Sequence, residues 1–156
     1  LKDRGINIGI KIVGQSVMPA DTSYFDSIRL LKEKLNLGDD VEFVGFIPFS
    51  KISGFYKDSD IVVGLTPDGG IDKTILEGMA SGCIVLTSNN ACRKYFGKYA
   101  DRLIFSYNNP ESLADRITAL VALSSENKKE ISDFLIASVS EHHRLENVIG
   151  RISSLL

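Results

Sequence analysis

Apolar residues fall along this chain in short β-branched runs at 6–13, 41–44, 61–65 and 84–87, with a weaker one at 103–105. Each is closed by Gly, Asp, Asn or Pro, so each predicts a strand. Between them the apolar spacing turns helical. Tyr24, Ile28, Leu31 and Leu35 share one stripe of a helix predicted over 22–35, and a shorter helix follows Ser50 through Ile52, Phe55 and Tyr56. Another opens at 71 and a short one covers 91–96. At Asn109-Pro110 an N-cap residue precedes proline in the first helical position. Residues 126–156 read as a helical tail of the same domain. Leu1-Lys2-Asp3-Arg4-Gly5 reads as the last turn of a helix ending at a glycine cap, so residues 1–156 are expected to be a single domain from a longer protein.

Strands alternating with helices, some strands apolar throughout, predict an α/β, Rossmann-like, doubly wound parallel sheet with helices on both faces. In such sheets ligands bind beyond the carboxyl ends of the strands. That rule selects four loops: Gly14-Gln15-Ser16, Gly45-Phe46-Ile47, residues 66–71, and Ser88-Asn89-Asn90.

The third loop runs into Asp68-Gly69-Gly70-Ile71-Asp72-Lys73-Thr74-Ile75-Leu76-Glu77-Gly78-Met79-Ala80-Ser81-Gly82, a glycine turn opening directly into a helix. Glycines let backbone amides approach a ligand, a helix N-terminus favours an anion, and Lys73 adds a positive charge. At about 3.6 residues per turn, Ile71, Ile75, Leu76, Met79 and Ala80 form an apolar arc, while Lys73, Thr74 and Glu77 share the other face. The plain interpretation of Lys73 and Glu77 is an exposed ion pair. Its order, lysine first, is the less favourable one, and such pairs stabilise by only about 0.2–0.5 kcal/mol. The functional interpretation sets the 70–73 amides and Lys73 against a diphosphate and Glu77 against a ribose diol, whose two hydroxyls one carboxylate can accept together. Gly64 and Gly78 read as sites of close packing.

Composition restricts the possibilities. With 156 residues, 44% of them hydrophobic and 24% charged, the chain has the length for one good core. Net charge is −2 with both signs interspersed, so no basic stripe points to nucleic acid and no polybasic segment to a membrane. Any anionic ligand must be gripped locally. The apolar runs are far shorter than the roughly 20 residues that span a bilayer, and no secretory signal opens the chain, so a cytoplasmic location is expected. Cys83 and Cys92 are read as buried free thiols, because they are too few for a disulfide framework or a metal knuckle. His142-His143, beside Glu141 and Glu146, is read as a solvated helix face: adjacent helical side chains point about 100° apart, and no other histidine completes a metal set. Tyr95, Phe96 and Tyr99 are read as packing aromatics.

Three blocks in order carry a family resemblance: Val41-Glu42-Phe43-Val44-Gly45-Phe46, Tyr56-Lys57-Asp58-Ser59-Asp60-Ile61-Val62-Val63, and Leu76-Glu77-Gly78-Met79-Ala80-Ser81-Gly82-Cys83-Ile84-Val85-Leu86-Thr87-Ser88. Over residues 6–122 the chain resembles the carboxy-terminal, donor-binding lobe of retaining, GT-B-fold glycosyltransferases of the group 1 (GT4) family. The resemblance implies a UDP- or GDP-sugar donor held by this lobe, an acceptor held by an amino-terminal lobe, and transfer of a hexose or related sugar. It implies no metal and no cofactor besides the donor. Carried over by position, Glu77 matches the glutamate that binds the nucleotide ribose. Gly70, Ile71, Lys73 and Thr74 match the turn that contacts diphosphate and sugar, and Gly45 and Phe46 match the loop near the base.

The departures are equally specific. Gly69 stands where the family carries the first of a pair of glutamates eight positions apart, the one near the donor sugar, leaving Asp68 as the adjacent candidate substitute. Asp72-Lys73-Thr74 replaces the commoner Gly-x-Val, and Asn89-Asn90-Ala91-Cys92 replaces the usual Gly-Gly and nearby glutamate. The arginine and lysine that clamp the diphosphate belong, in the family, to a strand and helix before the position of Leu1. On that basis this chain alone is expected to bind nucleotide weakly and to transfer no sugar, any membrane association is expected only through other regions, and no residue is assigned to catalysis. Two alternatives accompany this interpretation: a sugar-nucleotide epimerase of the same architecture, and a non-catalytic binding or assembly domain.

Overall fold

The strand pattern is realised as parallel pairing. A computed structural model describes residues 1–15, 22–143 and 153. Ser16, Glu146 and most of the predicted tail beyond His143 lie outside the described residues. The chain forms two units, Leu1–Ile52 and Ser53–Leu156.

In the first unit a 3-10 turn at Lys2–Arg4 ends at Gly5, whose left-handed backbone (φ 70°) lets its N–H reach the Lys2 carbonyl, as the opening residues predict. Strand β1 (Ile10–Val13) pairs in parallel with β2 (Val41–Gly45), from Ile10 opposite Val41 to Val13 opposite Gly45. The predicted strand over 6–13 therefore begins late, and the reason is its partner: residues 38–40 are a 3-10 turn, so no ladder exists before Val41. Helix α1 (Thr22–Lys34) joins the two strands. Its packed face is rotated from the predicted stripe, because Phe25 meets Phe43 of β2 at 5.6 Å between ring centroids while Tyr24, Leu31 and Leu35 are exposed. Arg29, one turn along, lies 5.3 Å over the Phe25 ring, so a cation covers aromatic surface that the periodicity had given to leucine.

Helix α2 (Phe49–Lys57) carries the chain into the second unit, where β3 (Ile61–Gly64) pairs in parallel with β4 (Ile84–Thr87) in register Ile61–Ile84 to Gly64–Thr87. All four β4 residues are buried, which accounts for a run with no polar alternation. Helix α3 (Lys73–Ala80) crosses between the strands and packs on both. The short α4 (Arg93–Phe96) and α5 (Ala100–Leu103) follow, then α6 (Pro110–Val121) and α7 (Ser125–His143). Asn109 caps α6 by accepting from the Ser112 N–H, with Pro110 in the first turn. The predicted fifth strand shrinks to one bridge between Thr87 and Ile104, because Leu103 closes α5 instead.

The core of this unit is built from Ile75 and Met79 of α3, Val85 and Leu86 of β4, Phe96, Leu103, Leu120, and Ile131 and Leu135 of α7, all essentially inaccessible. Full burial of one such side chain stabilises by about 1.5–3 kcal/mol. Two glycines set how closely α3 approaches the strands. A Cβ at Gly78 would lie 3.2 Å from Val62 and Val85, and one at Gly64 would collide with the Ile75 side chain. Both positions are therefore sites of close packing, as the sequence suggests. Gly78 also replaces Ala80, which is exposed, on the buried face of α3.

Candidate functional site

Helix α3 begins two residues later than the periodicity implies. Asp72 is its N-cap, accepting the Thr74 N–H at 3.0 Å, and Ile71 precedes the helix. Lys73 and Thr74 stand in the first turn and Glu77 follows one turn on, so all three occupy the face away from the core, as predicted. Lys73 Nζ lies 3.5 Å from Glu77 Oε1; the lysine side chain is largely solvated, and that of Glu77 keeps only 26% exposure. The other carboxylate oxygen is held from a different element. Tyr56, near the end of α2, donates its hydroxyl to Glu77 Oε2 at 3.0 Å. Burial chiefly, and then the hydrogen bond to and negative charge of Glu77, push the Tyr56 phenol far above its ordinary range, so the hydroxyl keeps its proton and remains a donor. The Tyr56 carbonyl in turn accepts the Cys83 thiol at 3.0 Å, which ties α2 to the start of β4.

The glycine turn is strapped by the loop after β4. Asn89 is buried, donates its side-chain amide to the Gly70 carbonyl at 2.9 Å, and accepts the Ala91 N–H at 2.9 Å. Asn90 grips Asp68: its backbone N–H reaches Oδ1 at 2.5 Å and its side-chain amide lies 3.2 Å from each carboxylate oxygen. Below them the Ser88 hydroxyl donates to the Thr66 carbonyl at 2.9 Å, while the Thr66 hydroxyl is buried with no partner among the described residues. Gly69 has φ +153° with no atom within 4 Å of where a Cβ would stand. Backbone conformation rather than space therefore calls for glycine at this position.

The sequence-predicted residues Asp68, Gly69, Gly70, Ile71, Lys73, Thr74 and Glu77 thus gather at one turn and helix start, at the carboxyl end of β3. Gly45 and Phe46 belong to the first unit, where Gly45 closes β2 with φ 79° and accepts the Gly14 N–H at 2.8 Å, and Phe46 is exposed. Periodicity missed Tyr56 and Asp72 as parts of this arrangement, and the strand-end rule selected the Ser88-Asn89-Asn90 loop without showing that Asn89 and Asn90 strap the turn. Asp72 was legible in principle, since an aspartate two residues before a helical threonine is a capping signal. The other three act across long sequence separations and carry no local signature.

The remaining candidates settle into packing. Tyr95 and Phe96 are buried, and Tyr99 meets Phe134 at 5.3 Å edge to face. His142 and His143 differ from a freely solvated face: both rings contact Tyr95, at 5.2 and 5.1 Å, and His142 Nδ1 lies 2.8 Å from the Ser138 carbonyl. An aromatic ring projecting from α4 gives them a surface that the helix alone lacks. Both cysteines are free and buried, and among the described residues no group of three His, Cys, Asp or Glu side chains could hold a metal ion. No described helix is long and apolar enough to cross a membrane.

A parallel strand feeds a glycine turn and a capped helix whose carboxylate is three-quarters buried, and direct comparison decides the family. The sequence profile of the family described as "Glycosyl transferases group 1" matches residues 1–133. The chain belongs to this family.

This group 1 glycosyltransferase chain is also similar in fold to solved structures. Anabaena HepE in complex with UDP superposes with a TM-score of 0.83 at 16% identity, over 95% of this chain and 40% of that one. Sucrose-phosphate synthase from Thermosynechococcus elongatus gives 0.77 at 20% identity, over 93% of this chain and 37% of that one. The C-terminal domain of a group 1 family protein, LpcC, from Francisella tularensis gives 0.74 at 18% identity, covering 92% of this chain and 91% of that one. No curated protein sequence matches. The fold is accordingly the Rossmann-like α/β fold of the carboxy-terminal domain of GT-B glycosyltransferases, and the chain spans about 40% of the length of HepE.

Proposed function

We propose that the turn and helix over 68–77 hold the nucleotide diphosphate of a UDP- or GDP-sugar donor, and that the whole protein is a retaining glycosyltransferase moving a hexose or related sugar to an acceptor. The observation that carries this is the Glu77 carboxylate. It is three-quarters buried, with one oxygen fixed by the Tyr56 hydroxyl and the other near an ammonium. A carboxylate offers about four acceptor positions, so a diol still finds places on it. The UDP and UDP-glucose complexes of HepE, similar in fold, favour the same class of ligand.

In this reading Lys73 and the amino end of α3 offset the charge that builds on the diphosphate as the sugar leaves, and interactions that strengthen there lower the barrier. Asp72 works against this, since its carboxylate already occupies the Thr74 N–H. A diphosphate reaching that amide must displace Asp72, which makes Lys73 the principal cation of the turn. Titration calorimetry with UDP and GDP tests the assignment. Binding weakened strongly in Glu77→Ala and less in Lys73→Ala is the expected result, and heats unchanged in both variants would sink it.

One observation favours a second reading, a non-catalytic relative. Gly69 supplies no carboxylate near the donor sugar, and the candidate substitute Asp68 already accepts three contacts from Asn90. That reading predicts no nucleotide binding by the whole protein, and the same titration separates the two.

A further inference from the structure

The donor assignment leaves a second cleft of the Ser53–Leu156 unit unused. It has a volume of about 520 Å³, begins at Pro67 and Asp68, and is lined by Ser88, Asn90, Arg93, Ser106, Tyr107 and Arg116 over an apolar floor of Ile104 and Phe105. That volume falls within the range of about 300–1,000 Å³ typical of small-molecule sites. Two arginines line it from different helices, Arg93 from α4 and Arg116 from α6. Arg116 is anchored: its Nε donates to the Ile104 carbonyl at 3.0 Å, its single hydrogen bond among the described residues, which leaves the two terminal nitrogens for another partner. Arg93 donates to Asp101 at 2.7 Å, but the Asp101 side chain is 91% exposed. A pair that solvated contributes little, and an incoming anion can replace it.

Asp101 also shows what this pair of arginines prefers. Its carboxyl is held below the ordinary range first by the hydrogen bond from Arg93, then by the charge of Arg93, with a further contribution from Arg116. The rest of the lining is suited to hydroxyl groups. Ser106 and Tyr107 bring hydroxyls, the Ser88 hydroxyl and the Asn90 amide being already held by the Thr66 carbonyl and Asp68, and the half-exposed Tyr107 ring offers a flat apolar surface.

We propose that this cleft is a second ligand site, taking a small anionic saccharide: a sugar ring bearing a carboxylate or a phosphate, with Arg93 and Arg116 on the anion and Tyr107 against the ring. The site contains none of Tyr56, Lys73 or Glu77 and meets the donor turn at Asp68, which Asn90 already holds, so the two assignments are tested by different residues. Arginine suits this ligand because its planar fork meets carboxylate or phosphate oxygens with two parallel donors.

The test is an NMR titration of the full 15N-labelled chain with glucuronate, glucose 6-phosphate and, as the neutral control, glucose. The expected result is a shift of the Arg93 and Arg116 Nε–H signals and of the Ser88, Ser106 and Tyr107 amides with one or both acids but not with glucose. Response to glucuronate alone names the carboxylate, and to glucose 6-phosphate alone the phosphate. Arg116→Gln is expected to weaken binding about tenfold or more, with Arg93→Gln as the second variant should the first fold poorly. The proposal is overturned if neither acid moves these signals, if glucose moves them equally, or if both variants titrate like the parent. It is also overturned if UDP shifts the same arginine signals and is displaced by glucuronate, because the cleft would then belong to the donor site.

Discussion

Replacing Glu77 by alanine tests the donor site most sharply, because the structure fixes how much the carboxylate has left to give. Tyr56 occupies one acceptor position at 3.0 Å, and Lys73, 3.5 Å away and largely solvated, contributes little. Two positions remain for the 2′ and 3′ hydroxyls of a ribose. A hydrogen bond to a charged group is worth about 1.5–3 kcal/mol, and partial exposure of Glu77 places these at the lower end. Losing both costs about 3 kcal/mol, or roughly a 150-fold rise in Kd. Losing one costs about half of that, roughly tenfold. Calorimetry with UDP and 2′-deoxy-UDP on parent and variant separates this contribution from any general loosening of the turn. The parent should favour UDP by about tenfold, and Glu77→Ala should bind the two equally. A parent that does not distinguish them, or a variant that still does, refutes the ribose assignment.

Other perturbations probe the frame around the site. Gly64→Ala places a methyl group into the Ile75 side chain in a dry core and should cost about 1–3 kcal/mol by urea denaturation. Gly78→Ala should cost less, since about 1 kcal/mol of helix propensity offsets contacts of 3.2 Å with Val62 and Val85; a Gly78→Ala loss exceeding that of Gly64→Ala would contradict this packing account. Asn89→Ala strips a partner from both the Gly70 carbonyl and the Ala91 N–H, with an expected loss of about 2 kcal/mol and faster amide exchange through residues 69–72. Burial pushes the Cys92 thiol from its ordinary 9.0 up to about 11. The unfolded chain then releases this proton first, so stability should fall as pH rises from the ordinary thiol value through about 11. The difference between the denaturation midpoints of parent and Cys92→Ala should stay constant across that window in the absence of this effect, and should shift against the parent as pH rises in its presence.

Much of the frame is determined locally. The β-branched runs specify β2, β3 and β4, and the Asn109-Pro110 pair fixes the start of α6, because these signals depend only on neighbouring residues. The turn at 68–70, the charged pair one helical turn apart and the closely packed glycines are legible for the same reason. What the sequence could not decide is which partners these groups take. A strand lasts only as long as its partner, so β1 starts at Ile10, and 103–105 collapses to a single bridge. Which face of α1 packs was settled by Phe43, a residue on another element. The site shows the same division. Sequence alone places Glu77 on a helix beside Lys73, but a hydroxyl 21 residues upstream orients its carboxylate, and asparagines about 20 residues downstream hold the turn. Local propensity acts over a few residues, whereas those contacts exist only after α2, α3 and the loop beyond β4 have been brought together by burial of the core.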